Sequence, residues 1–245
     1  MKTLAKLLYW KGCFPGCIDL LPTRLRVVSG PFRGMAYNIV ACASAHSAKL
    51  LGTYEQELHP IIDEIRRTPF DRIIDIGAAE GYYAVGLARS SPVQGQRIIA
   101  FEAQEYGRGL LKQLADRNGV KNLEIQGACD VADLAEVVAG AGSKLIICDV
   151  EGFETTLLDP SRAPGLRSCS ILVELHDTPA DPISETIRER FRHSHRIEEV
   201  LSADRTWDDF PAKNVFARAL PRTLALRAMN EARDIQRWFW MQPAK

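Results

Sequence analysis

Short apolar runs alternate with amphipathic segments from residue 72 to residue 192, and this alternation constrains the fold more than any other feature. The apolar runs have the length and composition of strands: RIIDIG, RIIAFEA, LEIQGAC, KLIICDVEG and CSILVELHD. Residues at helical spacing follow the first, second, third and fifth of these runs. Strands that are apolar on both faces are typical of a parallel sheet that helices cover on both sides. We therefore predict an α/β fold with a mostly parallel sheet and helices on both faces.

The end of the chain departs from this alternation. The segments HRIEEVLS (195–202) and NVFARAL (214–220) read as strands with no helix between them, so we predict an antiparallel pair. The last apolar segment, LALRAMNEARDIQRWFWM, has an uneven stripe at helical spacing and is predicted to be a helix. The predicted organisation is a helix, a hairpin and a lead-in helix over residues 1–70, a core over 71–220 and a C-terminal amphipathic helix over 221–245.

The composition limits the partners of the chain. Its 31 basic and 31 acidic residues cancel, so no basic field attracts nucleic acid. No apolar stretch approaches about 18 residues, so we predict no transmembrane span. The basic segment at residues 2–11 is predicted to be a helix packed on the domain, with weak peripheral membrane contact as the alternative. Six scattered cysteines without zinc-ligand spacing favour a reduced, cytoplasmic protein. The aromatic C-terminal segment favours packing on the domain or on a second subunit, with a homodimer preferred.

The loop after the first predicted strand indicates a cofactor site. It reads Asp75-Ile-Gly77-Ala-Ala-Glu80-Gly81. A dinucleotide site needs the pattern G-x-G-x-x-G, but here the middle glycine is absent and Glu80 would face the anion. The pattern D-x-G-x-x-x-G suits a cofactor that lacks phosphate and carries an ammonium group. Asp75 would attract this group or hold a water molecule beneath it. The alternative is that the two glycines only allow tight packing of helix against strand.

Glu102 ends the second predicted strand, where an acid can accept hydrogen bonds from both ribose hydroxyls. The third strand closes with Ala128, Cys129 and Asp130, which would border an adenine ring. Together these features describe S-adenosylmethionine (SAM). The predicted cofactor-binding residues are Tyr54, Asp75, Gly77, Ala78, Gly81, Glu102, Ala103, Ala128, Cys129 and Asp149.

Four segments together resemble the FkbM-like class I SAM-dependent methyltransferases over about residues 50–220: IIDIGAAEGYYAVGLA, FEA, ICDVEGFETTLL and LVELHD. The resemblance implies a Rossmann-like seven-stranded sheet in the order 3-2-1-4-5-7-6 with an antiparallel last strand. It also implies methyl transfer, usually to a hydroxyl group of a sugar or another small molecule.

The predicted acceptor site lies at the ends of strands four and five, where the sequence reads DVEG and ELHD. Asp149 sits where cofactor and acceptor meet, and Glu151 faces the acceptor. His176 is the predicted general base and also contacts the substrate, because a neutral imidazole is available near pH 7 to take a hydroxyl proton. Glu174 lies on the same strand face and would orient the ring. The alternative is that His176 only hydrogen-bonds nearby backbone.

Two further questions stay open from the sequence. A Mg²⁺ ion held by Asp149, Glu174 and Asp177 is an alternative to metal-free chemistry, although Asp177 is placed to cap the next helix. The predicted enzyme is an O-methyltransferase. A SAM-binding scaffold without catalysis and a nicotinamide-dependent oxidoreductase are the rival functions.

Overall fold

The computed structural model describes residues 25–38, 41–42, 45–91, 95–211, 221–231 and 233–244. Its centre is a seven-stranded sheet in the order β3-β2-β1-β4-β5-β7-β6, as the resemblance implies. The strands are β1 (Arg72–Ile76), β2 (Arg97–Phe101), β3 (Leu123–Gln126), β4 (Lys144–Cys148), β5 (Cys169–Leu175), β6 (His195–Leu201) and β7 (Arg237–Pro243).

The first five strands are parallel, and β7 is antiparallel to both β5 and β6. Because β1 lies between β2 and β4, the chain order reverses beside it. The carboxyl ends of the central strands therefore open a crevice there, which is where ligands bind in sheets of this kind.

Helices cover the sheet on both sides. They are α1 (His46–Leu51), α2 (His59–Arg67), α3 (Tyr82–Arg89), α4 (Glu105–Asn118), α5 (Val131–Val138), α6 (Glu154–Leu157), α7 (Ile183–Phe191) and α8 (Arg222–Met229). Successive strand residues point to opposite faces, so Ile73 and Ile147 belong to one buried cluster and Ile74 and Ile146 to the other. The predicted α/β fold with two covered faces is confirmed.

The prediction of a C-terminal helix over residues 221–245 was wrong. The helix α8 ends at Met229, and Arg237–Pro243 forms the seventh strand. Trp238 and Trp240 pack into one core cluster and Phe239 and Met241 into the other. The aromatic residues that suggested a homodimer are therefore buried in the core on the two faces of the sheet. The segment predicted as the seventh strand, residues 214–220, lies outside the described residues.

The chain before β1 packs onto the same sheet. The predicted hairpin-like segment is present: Arg26 and Ala36 form an antiparallel bridge, and backbone hydrogen bonds from Tyr37 N–H to Leu25 O and from Val27 N–H to Met35 O flank it. The predicted lead-in helix is confirmed as α2, which has a proline in its first turn and buries three isoleucines. The predicted helix at residues 2–11 lies outside the described residues. Within the described ranges, no helix is both long enough and apolar enough to cross a membrane.

Candidate functional site

A cavity of about 680 Å³ lies at the carboxyl ends of β1, β2, β4 and β5. It brings together twelve of the fifteen residues that the sequence nominated, and only Gly81, Asp130 and Asp177 do not line it. The lining residues among them are Tyr54, Asp75, Gly77, Ala78, Glu102, Ala103, Ala128, Cys129, Asp149, Glu151, Glu174 and His176.

The two glycines of the loop after β1 have different roles. Both adopt a left-handed backbone conformation, with φ of 84° at Gly77 and 90° at Gly81. A Cβ atom at Gly77 would lie 1.7 Å from the backbone oxygen of Asp149, so this glycine lets the loop touch the end of β4 inside the cavity. A Cβ atom at Gly81 would instead lie 2.1 Å from Leu111 Cδ1. Tight packing against α4 therefore explains Gly81.

The backbone N–H groups of this loop are already used within the protein. Gly77 and Ala78 both donate to Phe101 O, at 2.9 and 3.0 Å, and Ala79 donates to Glu102 Oε2 at 2.8 Å. A phosphate-binding loop instead turns its N–H groups toward the anion. This geometry disfavours a pyrophosphate and hence a nicotinamide dinucleotide.

Glu80 does not line the cavity, so it would not face a bound anion there, in contrast to the expectation that disfavoured a dinucleotide. It is fully buried, and its Oε1 lies 2.6 Å from Lys49 Nζ. Tyr37 O–H and Cys42 N–H also donate to this carboxylate. Burial alone would raise the pKa of Glu80, but the charge and hydrogen bond of Lys49, together with these donors, hold it below its ordinary value. Glu80 thus anchors the cofactor loop to the segment before β1.

The carboxylate of Glu102 is fixed at the end of β2. The residue is 8% exposed, its Oε2 accepts the bond from Ala79 N–H, and its Oε1 accepts one from Gln104 N–H at 2.7 Å. Each carboxylate oxygen can accept a second hydrogen bond, so both remain available to a diol in the cavity. Gly107 permits this placement, since a Cβ atom there would lie 2.9 Å from Glu102 Cγ.

Asp75 forms part of the cavity wall and is only 3% exposed. Its buried Oδ2 atom has no hydrogen-bond partner among the described residues. Burial is the main cause that raises the pKa of Asp75 to about 7, and the nearby charges of Asp149 and Glu102 add to the effect. A buried carboxylate in this condition is matched by a cationic ligand.

His176 stands at the other end of the cavity among four carboxylates. Its Nδ1 atom lies 2.7 Å from Glu154 Oε1. Its Nε2 atom lies 3.7 Å from Asp149 Oδ1, 3.5 Å from Glu151 Oε2 and 3.8 Å from Glu174 Oε1. The buried Glu154, and not Glu174 as predicted, therefore orients the ring. His176 does not rest against backbone in the way the alternative supposed.

The charge state of His176 differs from the one that the sequence suggested. Burial lowers the pKa of His176, but the hydrogen bond and charge of Glu154, with Glu174 and Asp149, raise it to about 9. The neutral imidazole assumed for a general base is thus the minor form near pH 7. Burial also raises the pKa values of Asp149 and Glu174, and neighbouring carboxylates raise them further. These groups share protons as a cluster.

Asp177 points away from this cluster, which removes it from the predicted Mg²⁺ ligand set. Its Oδ1 atom accepts a hydrogen bond from Ser184 N–H at 2.7 Å, near the start of α7. Its Oδ2 atom lies 3.0 Å from Arg237 Nη1. Asp177 therefore caps the start of α7, as expected from the sequence, which argued against a metal role for this residue. Asp130, which closes the third predicted strand, likewise caps α5.

Sequence reasoning missed Arg233, whose guanidinium group lines the cavity. Its Nη2 atom lies 2.5 Å from Glu55 Oε1 and 2.8 Å from Glu231 Oε2, and its Nη1 atom lies 3.5 Å from Glu174 Oε1. The ring of Tyr54 lies between two cations, 4.6 Å from Lys49 Nζ and 5.1 Å from Arg233 Cζ. No motif marks Arg233, because it reaches the site from the connection between α8 and β7.

Left-handed backbone conformations at residues other than glycine mark the same place. Among the described residues they occur at Glu55, Ala79 and Glu151. Ala79 and Glu151 line the cavity, and Glu55 holds Arg233 and accepts a hydrogen bond from Tyr83 O–H. Such strained positions concentrate at functional sites, where the surrounding structure maintains them.

Comparison of the sequence with protein-family models and with curated proteins gives no match. Solved structures do resemble the chain. One is the O-methyltransferase TomG from Streptomyces achromogenes, which is involved in tomaymycin synthesis and was solved with SAM. It is 13% identical, covers 78% of this chain and 81% of its own, and gives a TM-score of 0.50. An O-methyltransferase from Bacillus cereus was solved with SAH. It is 13% identical, covers 78% of this chain and 82% of its own, and gives a TM-score of 0.49.

A precorrin-6y C5,15-methyltransferase from Geobacter metallireducens is 12% identical, covers 78% of this chain and 87% of its own, and gives a TM-score of 0.48. At these identities the resemblance concerns the fold. The chain has the Rossmann-like fold of class I methyltransferases, with the strand order that its own sheet shows.

Proposed function

We propose that the protein is a SAM-dependent methyltransferase that methylates a hydroxyl group of a small molecule or sugar. One observation carries the proposal: a single cavity joins the Asp75 and Glu102 carboxylates at one end to the Asp149, Glu174 and His176 cluster at the other. The first end suits a cofactor with an ammonium group and a ribose. The second offers groups that can bind a hydroxyl group and take its proton.

The residues of the first end fit SAM on three counts. The unpartnered Oδ2 atom of Asp75 can accept a bond from the ammonium group. Both oxygens of Glu102 keep room for a ribose hydroxyl. The N–H groups of Gly77, Ala78 and Ala79 are bonded within the protein, which suits a cofactor without phosphate. SAM supplies an activated methyl group, so the protein mainly has to align the acceptor and remove its proton.

The residues of the second end would position the acceptor. Asp149 touches the cofactor loop through the Gly77 contact and faces His176, so it lies where the two ligands meet. Glu151 is on the open side of the cluster, with 84% of its side chain exposed, and can meet the acceptor first. The motifs DVEGFE and ELH support membership of the FkbM-like family, and the free thiols among the described residues support a reducing, cytoplasmic location.

Calorimetry with three ligands tests the function against its rivals. We expect SAM and its demethylated product SAH to bind at least about 100-fold more tightly than NAD, because the N–H groups of Gly77, Ala78 and Ala79 are bonded within the protein and do not turn toward a pyrophosphate. SAH release should then be screened over a panel of sugars and small alcohols. Preferential NAD binding would favour the oxidoreductase. SAM binding without turnover on any acceptor would favour the scaffold.

Replacement of Glu102 by Gln should weaken SAM binding at least tenfold, equivalent to about 1.4 kcal/mol, because one ribose hydroxyl loses a charged acceptor. Glu105→Gln is the matched control, since this glutamate is three residues away in the first turn of α4 and is exposed. Calorimetry on both folded variants measures the difference. Equal SAM affinity in the two variants would contradict the ribose assignment.

SAM affinity should depend on the protonation of Asp75. Its pKa of about 7 means that the carboxyl is mostly neutral below that pH and loses its attraction for the ammonium group. We expect affinity to fall by up to about tenfold per pH unit below pH 7 and to level off above it. Titrations from pH 5.5 to 8.5 measure this dependence, and Asp75→Asn should flatten it. A flat profile in the unmodified protein would contradict the role.

A further inference from the structure

We propose that the acceptor end of the cavity binds a divalent transition-metal ion through Asp149, Glu151 and His176. This site shares only Asp149 with the Mg²⁺ site considered from the sequence, and it takes a different class of metal ion. The role of the ion toward an acceptor rests on the proposed function, whereas its binding does not.

The spacing of the three side chains is the first observation. The Nε2 atom of His176 is 3.7 Å from Asp149 Oδ1 and 3.5 Å from Glu151 Oε2, and one ligand atom from each residue lies within 4.8 Å of the others. These separations are too long for direct hydrogen bonds. Ligands about 2.1 Å from a tetrahedral metal ion are about 3.4 Å apart, so a small inward movement suffices.

The orientation of the imidazole ring is the second observation. Its Nδ1 atom is held by Glu154, whose side chain is fully buried, at 2.7 Å. In the neutral ring, which a metal ion would favour by displacing the Nε2 proton, an Nδ1–H group that donates to Glu154 leaves the lone pair of Nε2 directed at the two carboxylates. Histidine ligands of metal ions are commonly fixed by a carboxylate in this way, on the nitrogen remote from the metal.

Two buried oxygen atoms point independently to a missing ligand. Glu174 is 1% exposed and lines the cavity, and its Oε2 atom has no hydrogen-bond partner among the described residues. Its other oxygen lies 3.8 Å from His176 Nε2. Asp149 Oδ1 is also buried without such a partner. Buried polar atoms without a partner are uncommon, and here they border the same cluster.

The local charge favours a cation. Asp149, Glu151, Glu154 and Glu174 surround one histidine. The neighbouring Arg233 also forms ion pairs with Glu55 and Glu231, so its single charge does not neutralise this group of carboxylates. When these carboxylates are ionised, the group carries an excess of negative charge that a divalent ion would neutralise.

The kind of cation follows from the imidazole. An ammonium group of an acceptor could donate to the carboxylates and to the imidazole lone pair, so it is the rival occupant of the cluster. Mg²⁺ prefers oxygen ligands and keeps its waters, whereas imidazole with carboxylates suits Mn²⁺, Fe²⁺ or Zn²⁺. With three protein ligands, the ion would keep positions open toward the cavity, where it could polarise an acceptor hydroxyl.

Titration of metal ions into the chelator-treated chain, without SAM, tests the site. We expect one Mn²⁺ or Zn²⁺ per chain by calorimetry, at least about 100-fold tighter than Mg²⁺. His176→Asn and Glu151→Gln should weaken binding at least tenfold, and Glu154→Gln about tenfold or more. Glu151 is the safest of these changes for folding because its side chain is exposed. His193→Asn is the matched control, since His193 is exposed and remote from the cluster.

Several results would overturn the proposal. These are no binding of Mn²⁺ or Zn²⁺ at millimolar concentration, Mg²⁺ binding of equal strength, or full binding by Glu151→Gln. Displacement of the bound ion by millimolar methylammonium would instead assign the cluster to an amine. A separate SAM titration distinguishes the two proposals. Metal binding without SAM binding would contradict only the methyltransferase function. SAM binding without metal binding would contradict only the metal site.

Discussion

His176→Asn should lower methyl-transfer turnover by at least about 100-fold while SAM affinity changes by less than about threefold. The imidazole is the group at which all four carboxylates of the acceptor end meet, with Nε2 within 3.8 Å of three of them. Whether it takes the acceptor proton or holds an ion that polarises the hydroxyl, its loss removes that step. The cofactor end, at Asp75 and Glu102, keeps its contacts.

The measurement is SAH release with an acceptor found in the screen, together with calorimetry for SAM. His193→Asn is the control for the effect of a His-to-Asn change as such, because the His193 side chain is exposed and does not line the cavity. Glu154→Gln should lower kcat more than it changes the acceptor KM, since Glu154 acts on the ring and does not line the cavity. A fall in turnover of less than threefold for His176→Asn would remove the imidazole from the chemistry.

Most of the fold could be predicted from the sequence because the six strands from β1 to β6 are local patterns. The apolar run around Ile73 and Ile74, for example, is bounded by charge on one side and glycine on the other. The seventh strand was not predicted because RWFWM is short and ends a segment whose apolar residues also fit helical spacing. Periodicity alone does not separate such a run from a buried helix. Its aromatic enrichment was the available signal, since bulky aromatic residues favour strands.

Candidate-site residues that lie in or just after a predicted strand could be found from the sequence. Residues such as Asp75, Glu102 and Asp149 follow or end parallel strands, and the carboxyl ends of these strands meet at one edge of the sheet. Arg233 and Lys49 come from segments far away in sequence, so no local pattern points to them. The charge state of His176 was also hidden, because it depends on Glu154, which α6 places beneath the ring.

Lys49→Met should lower the free energy of unfolding by about 3–5 kcal/mol, because the change leaves Glu80 charged and unpaired in the interior. Glu80 is fully buried and Lys49 is 4% exposed, with 2.6 Å between Nζ and Oε1. Tyr37 O–H and Cys42 N–H would still donate to the carboxylate, but neither carries a charge. Denaturant unfolding measures the loss. Because Glu80 belongs to the cofactor loop, SAM binding should weaken as well.

Lys112→Met provides the matched control, since it breaks the exposed pair with Asp116 and should cost less than about 1 kcal/mol. The double variant Lys49→Met with Glu80→Gln should recover a large part of the stability, because glutamine carries no charge. Its carbonyl oxygen can accept from Cys42 N–H, and its NH₂ group can donate to the Tyr37 hydroxyl oxygen. An equal cost for Lys49→Met and Lys112→Met would contradict the anchoring role. Recovery in the double variant without recovery of SAM binding would show that the ionic contact itself, and not only stability, holds the loop in its binding geometry.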